Sequence, residues 1–449
     1  MSIESPENVL FVVMDTVRKD RLTPYGYDRP TTPNLAEFAE EATVFEQAVA
    51  PAPWTLPVHA SLFTGMYPSQ HGADQENPYL EGATTLAQTL SSAGYDTACY
   101  SSNAWITPYT HLTDGFDDQD NFFEVMPGEF LSGPLARAWK AMNDNEALRT
   151  LADKLVSLGN TAHEYFADSE GADSKTPAVI DRTKSFIADA DQSFAFINLM
   201  DAHGPYIAPS EYQRADPADI SATEMMMSGD PGDVSPEDVK AAYDDCARYL
   251  SDIYADLHSR LTSDFDYVIT IADHGEAFGE YGMWGHVGLV PEVTNIPLSI
   301  AAAGGVSEVP RTNQPVNLHD VFQTILDIAD IERPSGTRGD SLFDAQVQEE
   351  RFKLLETHGL STEKLEGLKD DGYDEEILNK FDRELRSVAY ESGYVFETFD
   401  GNIEHVGERL PDPESKMDEL TADINRRENV EKVDVSDEVH DRLEELGYR

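Results

Sequence analysis

The chain has 449 residues, and its 85 Asp and Glu against 32 Lys and Arg give a formal net charge of −53. This length accommodates one large domain and a smaller one, and 40% hydrophobic residues with four tryptophans supply a core. The acids are dispersed along the whole chain, which excludes nucleic acid and anionic membrane surfaces as ligands and fits a surface solvated in a salt-rich medium, as in a halophilic organism.

The N-terminal "MSIESPENVLFVVMD" lacks the basic start and long apolar run of a signal peptide, and no run approaches the ~20 apolar residues of a membrane span. With only Cys99 and Cys246, and no Cys-x-x-Cys spacing, the expected location is a reducing cytoplasm.

The first predicted strand, "VLFVVMD", ends at Asp15. "TTPNLAEFAEEATVF" follows as a helix, with Thr32 able to cap, Pro33 opening, and Leu35, Phe38, Ala39 and Ala42 on one face. "PWTLPVHASLFTG" reads as a short helix with Pro57 at its first position and Gly65 just past its end. Thr55 then stands at the helix N-terminus, where a threonine serves either as a simple cap or beside a bound anion. "TACYSSN" is a strand stopping at Asn103, "FAFINLMDAH" runs out at Asp201 and His203, and "YVITIADHGE" ends at Asp273, His274 and Glu276. "IPLSIAAAG" completes the series. Residues 126–190 and 211–245 read either as polar insertions over the site that could shape the substrate site or as packing helices. "SVAYESGY" and "VFETFDGNIEHVG" alternate around Ser-Gly and Asp-Gly turns, indicating a small antiparallel sheet. "DEVHDRLEELGYR" is a closing amphipathic helix.

Strands alternating with helices predict an α/β fold with a large, mostly parallel sheet covered on both faces. The expected division is a catalytic domain over 1–345 and a small C-terminal α+β subdomain over 346–449. Ligands of such sheets bind beyond the carboxyl ends of the strands, where Asp15, Asn103, His203, Asp273 and His274 collect. A strand-end Asp is also a common turn former. Asp15, Asp273 and His274 with a threonine oxygen would make a mixed oxygen and nitrogen metal site. Ca²⁺ and Mg²⁺ prefer oxygen, whereas Mn²⁺ and Zn²⁺ accept imidazole. A cation beside Thr55 would turn a poor nucleophile into a competent one. His286 could then neutralise charge on the transferred group, and His203 could protonate the leaving oxygen.

These motifs resemble the sulfatases, within the alkaline phosphatase superfamily. The resemblance runs through "NVLFVVMDTVRKDRLTPYGY", "WTLPVHASLFTGMYPSQHG", "DAHGPY", "ADHGEAFGEYGMWGHVG" and "GTRGDSLF". It implies a mixed α/β sheet with helices on both faces and a small antiparallel sheet after it. It also implies Asp15, Asp273 and His274 as metal ligands, Thr55 as metal-bound nucleophile, and His203 and His286 as substrate contacts. His59 stands where the signature Cys/Ser-x-Pro-x-Arg has its arginine. The chain departs from that pattern in four ways: Thr55 cannot become formylglycine, Asp15 is followed by Thr16 and not by a second acid, His274 replaces an amide, and Asn103 is the one polar candidate where sulfate-gripping residues are usual. Together these imply a metal-dependent hydrolase of phosphoric esters (phosphomonoesters, phosphodiesters or phosphonates), with Mn²⁺ or Zn²⁺ favoured and Ca²⁺ possible. The alternatives are a sulfuric ester hydrolase, a head-group transferase and a non-catalytic binding protein. The substrate is a small-molecule, glycan or lipid ester. Asp201, His203 and His286 are candidates for a second metal site, and oligomeric state stays open.

Overall fold

The computed structural model describes residues 7–121, 175–190, 192–228, 234–303, 311–343 and 351–427. The expected closing helix and most of the expected 126–190 insertion lie outside the described residues.

Apolar runs too continuous to face water on either side become the inner strands of a large sheet. Of the first six strands, β1 (Val9–Met14), β3 (Asp96–Ser101), β5 (Ser193–Leu199) and β6 (Tyr267–Ile271) have this character, whereas β2 (Thr43–Val49) is mixed and β4 (Asp118–Asn121) is a polar edge strand. A small hairpin of β7 (Ala277–Phe278) and β8 (Trp284–Gly285) follows, then β9 (Asn295–Ile296), β10 (Leu298–Ala302) and β11 (Arg311–Asn317). The order is β11-β2-β10-β6-β1-β5-β3-β4, with β9 paired to β2. β1 lies parallel to both neighbours, whereas β10 is antiparallel to β6 and β2. The sheet is therefore mixed and mostly parallel, as the alternation of strands and helices predicts.

Register does the work of bringing the site together. Val13 lies opposite Ile271, and Met14 opposite Leu199. Two residues beyond the first pairing, Asp15 and Asp273 leave the sheet side by side. Tyr100 lies opposite Ile197, so the chain after β3 delivers Asn103 to the same rim.

The helix at "TLPVHASLFT" spans Thr55–Thr64, with all ten side chains buried. It starts two residues before Pro57, which does not occupy its first position. Pro57 sits in the first turn, where a missing N–H costs no intrahelical bond. Trp54 is the N-cap and makes no side-chain capping bond, and Gly65 ends the helix with φ 65°. Thr32 likewise does not cap the Pro33–Ala39 helix; its hydroxyl instead accepts from the Thr23 N–H at 2.9 Å. In the 211–245 region the structure has helix Ala222–Ser228 and the start of the long helix Pro236–Leu261.

A four-stranded antiparallel sheet follows: β12 (Phe352–Thr357), β13 (Leu385–Tyr390), β14 (Gly393–Glu397) and β15 (Ile403–Gly407). Alternation divides its residues between two faces. Leu355, Tyr394 and Phe396 join the main core. Leu354, Val388 and Val395 pack with Met417 of helix Pro413–Thr421 in a second cluster. Lys353 Nζ reaches the fully buried Asp320 at 2.6 Å, tying β12 to the helix Leu318–Ile328 of the main domain. No helix among the described residues is long and apolar enough to cross a membrane.

Candidate active site

The ligand atoms of Asp15, Asp273 and His274 lie within 4.8 Å of one another, and all three residues are buried. Each is held by hydrogen bonds from its surroundings. Asp15 Oδ1 accepts from the Thr16 hydroxyl at 2.8 Å, and Oδ2 accepts from Asn103 Nδ2 at 2.8 Å and Asn198 Nδ2 at 3.2 Å. Asp273 Oδ1 accepts from the backbone N–H of Thr16 at 3.1 Å and of His274 at 2.8 Å, while its Oδ2 is buried without a hydrogen bond. His274 Nδ1–H donates to Gly275 O at 2.9 Å, which fixes the tautomer and presents the Nε2 lone pair. Nε2 lies 3.3 Å from Asp273 Oδ2 and accepts from the Thr55 hydroxyl at 3.3 Å.

Charge in this pocket is in conflict. Burial, and after it Asp15, push the Asp273 carboxyl well above the ordinary range. For Asp15 burial acts in the same direction, but His203, His274, His59 and the Thr16 hydroxyl outweigh it and hold the carboxyl below its ordinary value. Burial and the neighbouring His286 drive His274 down to about 3, so its ring is neutral. Two adjacent carboxylates, a neutral imidazole and an unpartnered buried oxygen are the donor set that a divalent cation satisfies. Asp15, Asp273 and His274 can therefore hold such a cation.

Local sequence explains why these groups hold their places. Thr16 takes φ 58°, turning the chain so that its N–H and hydroxyl brace both carboxylates. Tyr243, from the long helix, donates to Thr16 O at 3.0 Å and accepts from Arg18 N at 2.8 Å, clamping that turn. Gly275 is required by space: a Cβ there would meet Glu292 O at 2.2 Å.

Thr55 is brought to this centre as the sequence suggested, with its hydroxyl at the end of a helix whose cap leaves the first amides open to an anion. His59 is buried below it. Its Nδ1–H donates to Thr55 O at 2.9 Å, its Nε2 has no hydrogen bond, and its ring packs on Phe63 and Phe196. It thus supports the backbone of Thr55 and does not touch the hydroxyl. Asn103, expected to contact substrate, is fully buried and committed at both polar ends: Nδ2 donates to Asp15, and Oδ1 accepts from Trp105 N at 2.8 Å. It positions a metal ligand.

His203 and His286 face a cleft of about 380 Å³ beside this centre. His203 Nδ1–H donates to Gly204 O at 2.7 Å. His286 Nδ1 lies 3.4 Å from Glu276 Oε1, an ion-pair distance without hydrogen-bond alignment. Burial opposes protonation of His286, but Glu276 prevails and raises its pKa, keeping a cation at the cleft. Asp201 does not join these histidines in a metal-sized group among the described residues; its Oδ2 accepts from Thr176 Oγ1 at 2.7 Å. The rest of the cleft was not legible beforehand. Trp54 and Trp105 meet edge to face at 5.4 Å, Met226 and Met227 come from helix Ala222–Ser228, and residues 357–360, Lys364, Phe381 and Phe399 come from the C-terminal part. Gly285, with φ 75°, lets the Met-bearing helix approach, since a Cβ there would lie 2.7 Å from Ala222 Cβ.

A mixed sheet with a rim able to hold a cation, a hydroxyl at a helix N-terminus and two histidines facing a cleft belong to an ester hydrolase of the alkaline phosphatase superfamily. The Sulfatase family profile matches residues 7–331, so the chain belongs to the sulfatase family. It is 26% identical over 383 residues to the uncharacterized sulfatase YidJ of Escherichia coli K12, covering 78% of this chain and 72% of YidJ. Among solved structures, BT1596, a 2-O GAG sulfatase, superposes with TM-score 0.62 at 16% identity, covering 98% of this chain and 90% of that one. The phosphonate monoester hydrolase SpPMH of Silicibacter pomeroyi reaches 0.61 at 17% identity, covering 93% and 94%. The fold accommodates both chemistries equally, so the site's own residues must choose between them.

Proposed function

We propose that this protein hydrolyses phosphoric esters through a covalent phosphothreonine at Thr55. One observation carries the reading. The residue whose hydroxyl points into the Asp15–Asp273–His274 centre, 3.3 Å from His274 Nε2, is a threonine, which has no oxidised aldehyde form. A sulfate ester formed on an ordinary alcohol lacks the elimination exit that formylglycine's second hydroxyl provides, whereas a phosphothreonine is opened by water at phosphorus.

The donor set, with one imidazole among two carboxylates, favours Mn²⁺ or Zn²⁺. When bound, such an ion acts as a Lewis acid that lowers the pKa of an alcohol and offsets negative charge on a phosphoryl oxygen. Asp15 and Asp273, braced by Thr16 and Asn103, fix that position. Thr55 Oγ gives up its hydroxyl proton to bulk water and bonds to phosphorus while the bond to the substrate's alcohol oxygen breaks, and His203 regains its proton from the medium before the next turnover. His286, kept cationic by Glu276, binds a phosphoryl oxygen together with the open amides at the start of the Thr55–Thr64 helix. His203 carries a proton to the departing oxygen on Nε2, its Nδ1–H being held by Gly204 O. Water then cleaves the Thr55–phosphorus bond and restores the hydroxyl.

Purified protein in high salt with Mn²⁺, Zn²⁺ or Ca²⁺, assayed on aryl phosphate, phosphodiester, phosphonate and sulfate esters, tests this. Phosphorus esters are expected to be turned over, with Thr55→Ala inactive and phosphothreonine recoverable by mass spectrometry after acid quench. Sulfate turnover exceeding phosphate turnover, and lost in Thr55→Ala, would overturn it.

A further inference from the structure

Among the residues lining the cleft there is a single Lys or Arg, and it does not belong to the metal-ligating rim. Lys364 comes from the C-terminal part, in the first turn of helix Thr362–Asp370. That is an unfavourable place for a cation, because the helix dipole presents its positive end there. The side chain is half-buried, and burial lowers the pKa of its ammonium. No ion pair or hydrogen bond engages the ammonium among the described residues, and the one charge acting on it is that of Asp371. In a chain with 85 acids for 32 bases, an ammonium kept unpaired is not short of available partners.

Lys364 stands on the part of the cleft wall contributed by the C-terminal part, distant in sequence from Asp15, Asp273, His274 and Glu276. The cleft has an apolar side, made by Trp54, Met226, Met227, Leu360, Phe381 and Phe399, and is also lined by the acids Asp74, Asp219 and Glu276, with none of which Lys364 forms an ion pair among the described residues.

We propose that Lys364 is a specificity-determining residue that binds an anionic substituent on the alcohol part of the ester, remote from the group that is cleaved. The substrate class this defines is an ester whose alcohol has an apolar body and carries a carboxylate or a second oxyanion. The inference rests on the cleft being the substrate site of an ester hydrolase. It does not depend on whether phosphate or sulfate is cleaved.

Two readouts test it on the full chain loaded with Mn²⁺. Calorimetry compares phenylphosphonate with its 3- and 4-carboxyphenyl analogues, and kinetics compares phenyl phosphate and phenyl sulfate with their carboxylated counterparts. The carboxylated compounds are expected to bind and react about fivefold better, the value of one partly exposed ion pair near the upper end of its range. The gain should appear in Kd and KM and not in kcat. Lys364→Met should bring the carboxylated compounds down to the level of the unsubstituted ones without lowering Tm, and Lys364→Arg should restore most of the preference. Equal binding of all phosphonates by the native protein, no binding of any, or an equal loss for both kinds in Lys364→Met would overturn the proposal. If the calorimetric preference holds while no ester is cleaved, the hydrolase reading fails and the role of Lys364 stands. If phosphoric esters are cleaved without preference, the reverse is true.

Discussion

The metal-ligating rim and the cleft wall beside it are built on opposite principles. At the rim every ligand is buried and braced from several sides, as Asp15 is by Thr16, Asn103 and Asn198. At the wall, buried and half-buried apolar side chains and a lysine with no ion pair or hydrogen bond to its ammonium among the described residues come from segments distant in sequence. The rim concentrates unfavourable charge in a rigid frame, which is how a protein prepares a place for a cation. The wall leaves contacts unfilled, which is how it leaves room for a variable alcohol. Conflict at the one and vacancy at the other mark chemistry and selectivity respectively.

The sharpest way to break this contrast is to remove the conflict. Asp273→Asn should lower kcat on the order of 10⁴-fold, the scale of losing a core catalytic group, and should abolish metal uptake measured by plasma emission. The same change should stabilise the metal-free protein at neutral pH by about 1–3 kcal/mol, the cost of a poorly compensated buried polar group. The sign follows from the raised carboxyl pKa. Folded Asp273 keeps its proton above the ordinary value of 3.8, so stability of the metal-free native protein falls as pH rises through that window. The variant should show no such loss, and thermal melts from pH 4 to 8 would reveal it.

Next in size is Asn103→Ala, which leaves Asp15 Oδ2 with Asn198 as its one remaining amide donor among the described residues. Metal affinity should fall about 10- to 100-fold, as for other partners of metal ligands, read by competition with a chelating dye, while KM at saturating metal changes little. Glu276→Gln removes the charge that raises the pKa of His286. The native imidazolium persists above 6.5 and is lost as pH rises through its raised value, so the variant's kcat/KM should begin its alkaline fall at lower pH. The smallest effect belongs to the wall: Met226→Ala should raise KM a few-fold, within the roughly 10- to 200-fold bound for lost apolar contact, and leave kcat unchanged.

How much of this could be read beforehand follows the same contrast. Asp15, Asp273 and His274 were legible because each ends a strongly apolar strand, and a parallel sheet gathers such ends on one rim. β2, β11 and β12 were missed: "TVFEQAV", "RTNQPVN" and "FKLLET" carry too many polar residues for a buried-strand pattern, and packing overrode propensity. The antiparallel direction of β10 leaves no mark in "LSIAA". The supporting roles of Thr16, Asn198 and Tyr243 depend on register and side-chain reach, which single residues do not announce. The wall had no local motif at all, since its members meet only after both sheets have formed.

The Thr55–Thr64 helix has no face turned to water. Its amides cannot exchange with solvent by local fraying in the way surface helices do, so they should report the global opening of the molecule. The hydroxyl proposed as nucleophile thus rides on one of the slowest-exchanging segments of the chain, whereas Lys364 rides on a short surface helix that opens readily. A deuterium-exchange map would then divide the site in two along its functional seam: one side that keeps time with unfolding, and one that is free to adjust to what enters.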